Sequence, residues 1–92
     1  MTSDKIKDYL EECYPDQIDN ILLADGLEGA FLGVVESFGE NPRACYDMEK
    51  CIEIFMDEGM SVEEASEHFE FNVRGAYVGK YTPAFIFKVE SV

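Results

Sequence analysis

Apolar residues recur along this chain at two periods, one helical and one extended. Ser3 to Cys13 reads as a short helix, with Ile6, Tyr9, Leu10 and Cys13 at helical spacing and Ser3 or Asp4 placed to cap the start. Pro15 follows and stops that helix. Ile18, Ile21 and Leu22 then lead into Asp25-Gly26, a turn pair. The run Gly29 to Phe38 reads as a strand, with Gly33 marking a bulge or a close backbone approach. Ile21 to Ala24 is expected to pair with it as a hairpin across Asp25 to Glu28. Arg43 to Tyr46 reads as a short strand after the loop Gly39-Glu40-Asn41-Pro42.

Asp47 is a good N-cap for a second helix, whose stripe is Met48, Cys51, Ile52, Phe55 and Met56 and whose end is Gly59. Ser61-Val62-Glu63-Glu64 fits a capping box opening a third. Val62, Ala65, Phe69, Val73 and Ala76 carry the helical period to about Tyr77, although Gly75 costs ~1 kcal/mol there. The competing reading stops the helix near Asn72 and makes Ala76 to Val78 a strand. After the breaker Thr82-Pro83, Ala84 to Val89 is rich in β-formers and reads as the last strand. The order predicts an α+β fold: a single domain over 1–92, with three helices packed on a mostly antiparallel sheet of three to four strands.

Composition sharpens this picture. The chain has 92 residues, 47% hydrophobic and 13% aromatic, enough for one small core. It holds 20 Asp plus Glu against 7 Lys plus Arg, a formal charge of −13. Nucleic-acid affinity comes mainly from cations on phosphates, and the seven here are scattered, so direct DNA or RNA binding is not expected. An anionic membrane surface repels such a chain, and no apolar run of about 18 residues is present to span one. Met1 to Tyr14 is charged and lacks the apolar centre of a signal peptide, which predicts a cytoplasmic protein. Cys13, Cys45 and Cys51, odd in number and without CxxC spacing, read as reduced thiols, with Cys51 in the core.

The charge is concentrated. Asp47 to Glu70 holds nine acids and one base, Lys50. Glu49, Glu53 and Asp57 fall four apart on the second helix; Glu63, Glu67 and Glu70 fall four and three apart on the third. Like charges at these spacings destabilise a helix by ~0.2–0.5 kcal/mol per pair. Rungs four apart lie ~6 Å apart along a helix, comparable to the spacing of nucleic-acid phosphates. These six residues are the candidate partner-binding set, a carboxylate row suited to a basic groove; the plain alternative is a solvated face that serves solubility.

Catalytic chemistry has little footing. His68, the single histidine, lies off the predicted apolar stripe and has no nameable partner, and no GxSxG, HExxH or phosphate-binding glycine loop occurs. Cys45 and Cys51 are too far apart in sequence for the usual zinc pairing with His68, and nothing gathers Asp25, Glu28 and Asp47 around magnesium. A non-enzyme without cofactor or metal is expected. Phe71 falls off the helix stripe, and Tyr77, Tyr81 and Phe85 crowd the C-terminal part; these aromatics either plug the small core or present a partner surface.

Asp25-Gly26, Ala30-Phe31-Leu32-Gly33, Tyr46-Asp47, Cys51-Ile52 and the run from Gly59 to Ala65 resemble small uncharacterised acidic proteins carried by bacteriophages and prophages. So does the stretch from Phe71 to Gly79 with Thr82-Pro83, and the likeness spans Asp25 to Phe87. Lys80 departs from it, standing where an acid is expected. That group carries no assigned activity. The resemblance implies a setting, a phage gene expressed in a bacterial cytoplasm. It favours an inhibitor of a host nucleic-acid-handling defence enzyme, of CRISPR or restriction type, acting by nucleic-acid mimicry. The alternative is a structural or regulatory protein-binding module.

Overall fold

The computed structural model describes residues 2–76 and 78–89. The first helix, α1 (Ser3–Cys13), has the predicted bounds, but its cap is Thr2, whose hydroxyl accepts from the Lys5 amide at 3.3 Å. Ile6 and Leu10, one turn apart, bury completely. The Tyr9 ring meets Phe31 edge-on at 6.5 Å.

Two strands follow, β1 (Phe31–Val35) and β2 (Arg43–Asp47), antiparallel and in register at Phe31↔Tyr46. The register slips between Phe31 and Gly33, the bulge that Gly33 foretold. β1 is shorter than the expected Gly29 to Phe38 because a 3₁₀ turn takes Glu28–Ala30. The expected Ile21–Ala24 strand is absent. The Ala24 amide donates instead to the buried Tyr46 hydroxyl at 2.8 Å, so it is not available to a ladder. That bond fastens the irregular 15–27 segment across the sheet, and Ile21 and Leu27 fall into the core beneath it.

Helices α2 (Met48–Asp57) and α3 (Val62–His68) form a pair. Asp47 caps α2, its Oδ1 accepting from the Glu49 and Lys50 amides at 3.0 and 3.3 Å. Ser61 and Glu64 close the capping box on α3. The stripe on α2 is narrower than predicted: Cys51 and Phe55 are buried, Met56 exposed. The third helix neither runs to Tyr77 as an α-helix nor breaks at Asn72. It widens into a π-helical segment, Phe69–Arg74, closed by the Gly75 amide donating to Glu70 O at 3.0 Å. Ala76 and Val78 are not strand, and Tyr77 lies outside the described residues.

The last strand, β3 (Ala84–Ile86), is shorter than the predicted Ala84 to Val89 and pairs with β2 in parallel, Tyr46 beside Phe85. The fold is α+β: three helices with a mixed three-stranded sheet of order β1-β2-β3. The expected antiparallel pairing holds for β1 and β2, whereas the helical crossover from β2 to β3 makes the second pairing parallel. The two registers align Phe31, Tyr46 and Phe85 in one row, with ring centres 5.7 and 5.8 Å apart. Phe69 of the π segment meets Phe85 edge-on at 5.1 Å and locks the helical layer onto that row. Among the described residues no helix is long and apolar enough to cross a membrane.

Candidate functional site

All six predicted partner-binding residues are solvent-exposed: Glu49, Glu53 and Asp57 on α2, Glu63 and Glu67 on α3, Glu70 on the π segment. The packing of Phe55, Ala65 and Phe69 inward turns their acidic neighbours outward. Two of the six have a local cation. Lys50 Nζ stands 3.4 Å from Glu53, and Arg74 grips Glu70 with two bonds of 2.7 and 2.9 Å. Among the described residues, Glu49, Asp57, Glu63 and Glu67 pair with no cation within 4.0 Å.

Around α3 the acids border an apolar feature. Met60, Glu64, Glu67, His68, Phe71 and Asn72 surround a shallow depression. Phe71 is 79% exposed, a full aromatic ring presented to solvent beside two carboxylates. Glu64 itself is held by its cap: bonds from the Ser61 backbone and hydroxyl keep its carboxyl below the ordinary range.

Asp47 takes a different role. It is buried to 7% exposure, and Lys88 donates to its Oδ2 at 2.9 Å, chiefly lowering its pKa, while the two cap amides add to the effect. One carboxylate therefore starts α2 and pins the chain beyond β3.

A second cleft, ≈460 Å³, lies where the 22–27 segment, Phe55, the π segment and β3 meet. Its walls are mainly apolar, from Leu22, Leu27, Val73 and Phe85, with Asp25, His68 and Asn72 as polar groups. The His68 ring stands edge-on to Phe55 at 4.6 Å. The side-chain amide of Asn72 lies 3.2 Å from His68 Nδ1, a hydrogen bond across one turn on the cleft wall. Sequence reasoning placed His68 off the apolar stripe and missed this cleft. The apolar period gave no sign of it: Phe69, Val73 and Ala76 keep ordinary helical spacing, and the widening of the helix at Phe69–Arg74 appears only in the structure.

The aromatic cluster divides. Tyr81 and Phe85 pack against the core, while Phe71 stands out. Cys45 and Cys51 are buried and Cys13 is exposed; burial pushes the Cys51 thiol up to about 12. Among the described residues no three of His, Cys, Asp and Glu gather as a metal site, so Cys45, Cys51 and His68 stand apart, as do Asp25, Glu28 and Asp47. No known protein family, curated protein or solved structure matches the chain.

Proposed function

We propose that this protein is an acidic interaction protein that occupies a basic groove on a host nucleic-acid-handling enzyme. The resemblance to phage proteins supplies the setting, a defence complex of CRISPR or restriction type. The observation that carries the reading is the exposed Phe71 ring beside Glu64 and Glu67, of which Glu67 pairs with no cation among the described residues. Interfaces concentrate their energy in aromatic anchors with a polar rim. A charge row alone steers a partner; a ring beside it gives the complex something to bury. Glu49, Asp57, Glu63 and Glu67 are free to meet lysines and arginines of the groove, whereas Glu53 and Glu70 must first exchange Lys50 and Arg74.

The test is affinity capture from a bacterial lysate with elution by salt and by duplex DNA. A nucleic-acid-handling protein displaced by DNA and by moderate salt is the expected result. Double reversal, Glu53→Lys with Glu67→Lys, should abolish its capture. A folded double variant that captures the same protein equally well rejects the reading.

The apolar cleft beside His68 favours a second reading, a regulatory module that seats an apolar segment of a partner protein, with the acids serving solubility. Such a complex survives ~0.5 M salt, where the Debye length is a few Å.

A further inference from the structure

Parallel strands begin at the same end of a sheet. The pairing of Cys45 with Ala84 therefore brings the loop before β2 beside the loop before β3. Each loop reverses at a glycine with positive φ, Gly39 at +79° and Gly79 at +114°, and each ends in a proline, Pro42 and Pro83. Thr82 stiffens the second loop. Its amide donates to Gly79 O at 3.1 Å, its hydroxyl donates to Ala76 O at 3.4 Å and accepts from the Val78 amide at 3.3 Å.

A polar cleft of ≈480 Å³ opens between the loops, with Arg43, Lys80, Asn41, Thr82 and Glu40 on its walls. Its charge runs against that of the molecule. Lys50, Arg74 and Lys88 are held by carboxylates, but Arg43 and Lys80 make no ion pair among the described residues, and both line this one cleft. Arg43 is half-buried at the start of β2, and its field opposes the effect of burial on the Cys45 thiol.

We propose that this cleft binds a small phosphorylated metabolite bearing hydroxyl groups, with the phosphoryl oxygens on Arg43 and Lys80. Two cations of which one is a planar guanidinium suit a dianion better than a single carboxylate. The volume is that of a small-molecule site rather than of a bare ion. Glu40 repels a naked anion but accepts from a hydroxyl, and the Asn41 amide can give or take a bond next to it. The overall charge of −13 does not prevent binding, because fields from more than ~8 Å away are screened at physiological salt. The site is independent of the acidic face.

The experiment is a ¹H–¹⁵N NMR titration of the full chain in 0.15 M NaCl with glucose 6-phosphate, inorganic phosphate and glucose as probes. Glucose 6-phosphate should shift the amides of Gly39, Asn41, Gly79 and Thr82 saturably; inorganic phosphate should do so more weakly, and glucose not at all. Arg43→Gln and Lys80→Gln should each weaken binding by about tenfold, the loss of one charge-assisted contact. Lys80 is exposed, so its variant tests the site even if Arg43→Gln disturbs β2. Unsaturable shifts, shifts centred on Lys5 and Lys7, or affinity unchanged in folded Lys80→Gln overturn the proposal. Equal affinity for inorganic phosphate overturns the assignment of Glu40 and Asn41.

Discussion

Asp47 joins two elements through one carboxylate, and the pH dependence of stability reports it. The Lys88 bond holds its pKa below the ordinary 3.8, and the cap amides lower it further. A carboxyl depressed on folding stabilises the native state above its unfolded pKa, and that contribution is lost as pH falls through the folded value. Asp47→Asn keeps a capping oxygen but loses the charge facing Lys88. The variant should be less stable at pH 7 by about 1 kcal/mol, a figure kept small by the exposure of Lys88. The gap to the parent protein should begin to narrow below the ordinary carboxyl value of 3.8 and close as pH falls through the lower folded value. Urea melts across that range provide the check, and a gap independent of pH would show that the ion pair contributes nothing.

Elements whose signals are local were legible in the sequence. Asp47 and the Ser61–Glu64 box marked the starts of α2 and α3 because caps act within one turn. Pairings set by distant residues were not. Ile21 to Ala24 looks extended and apolar, but its fate depended on Tyr46, 22 positions beyond Ala24. The parallel docking of β3 depended on where the π segment delivered the chain, and the Arg43–Lys80 cleft was hidden with it. The six acidic rungs were correctly read as exposed, since helical phase alone decides that. The flanking Phe71 was noticed in sequence as off the stripe, but its place beside Glu64 and Glu67 needed the structure. Gly75 is the clearest case at this scale. On propensity an alanine there should stabilise a helix by ~1 kcal/mol. In the structure its φ is ordinary, but an added Cβ would sit 2.8 Å from Glu70 O and 3.5 Å from Phe71 O, both backbone atoms that cannot swing aside. The widened turn thus requires the absence of a side chain, and its sign reverses. Gly75→Ala should destabilise the protein by about 1–2 kcal/mol, the crowding outweighing the propensity gain. That lowers the melting temperature by roughly 4–8 °C per kcal/mol, measurable by circular dichroism. An equal or higher melting temperature would show that the turn relaxes to an ordinary α-helix.

At the scale of the whole molecule, charge sets stability and association in opposite directions. With 20 acids against 7 bases, self-repulsion opposes the compact state, and it is strongest along α2 and α3. The like-charged neighbours Glu49/Glu53, Glu53/Asp57, Glu63/Glu67 and Glu67/Glu70 together cost about 1–2 kcal/mol at low salt. Among the described residues three ion pairs work the other way, each with at least one exposed partner and each worth about 0–1 kcal/mol, whereas those four neighbours are only the nearest part of the repulsion among 20 acids. The melting temperature should therefore rise as NaCl increases from about 0.02 to 0.5 M, where the screening length falls to a few Å. Glu49→Gln with Glu67→Gln should raise the low-salt value and flatten the response. A melting temperature that falls with salt would mean that the ion pairs dominate. The same titration separates the two meanings of the acidic face. Charge that serves only solubility moves stability and leaves partner capture untouched. Charge that imitates phosphates also weakens capture over the salt range in which it strengthens the fold, and the Gln variant, more stable at low salt, binds less. Gain of stability coupled to loss of binding at the same two residues is the signature that a solvated surface does not produce.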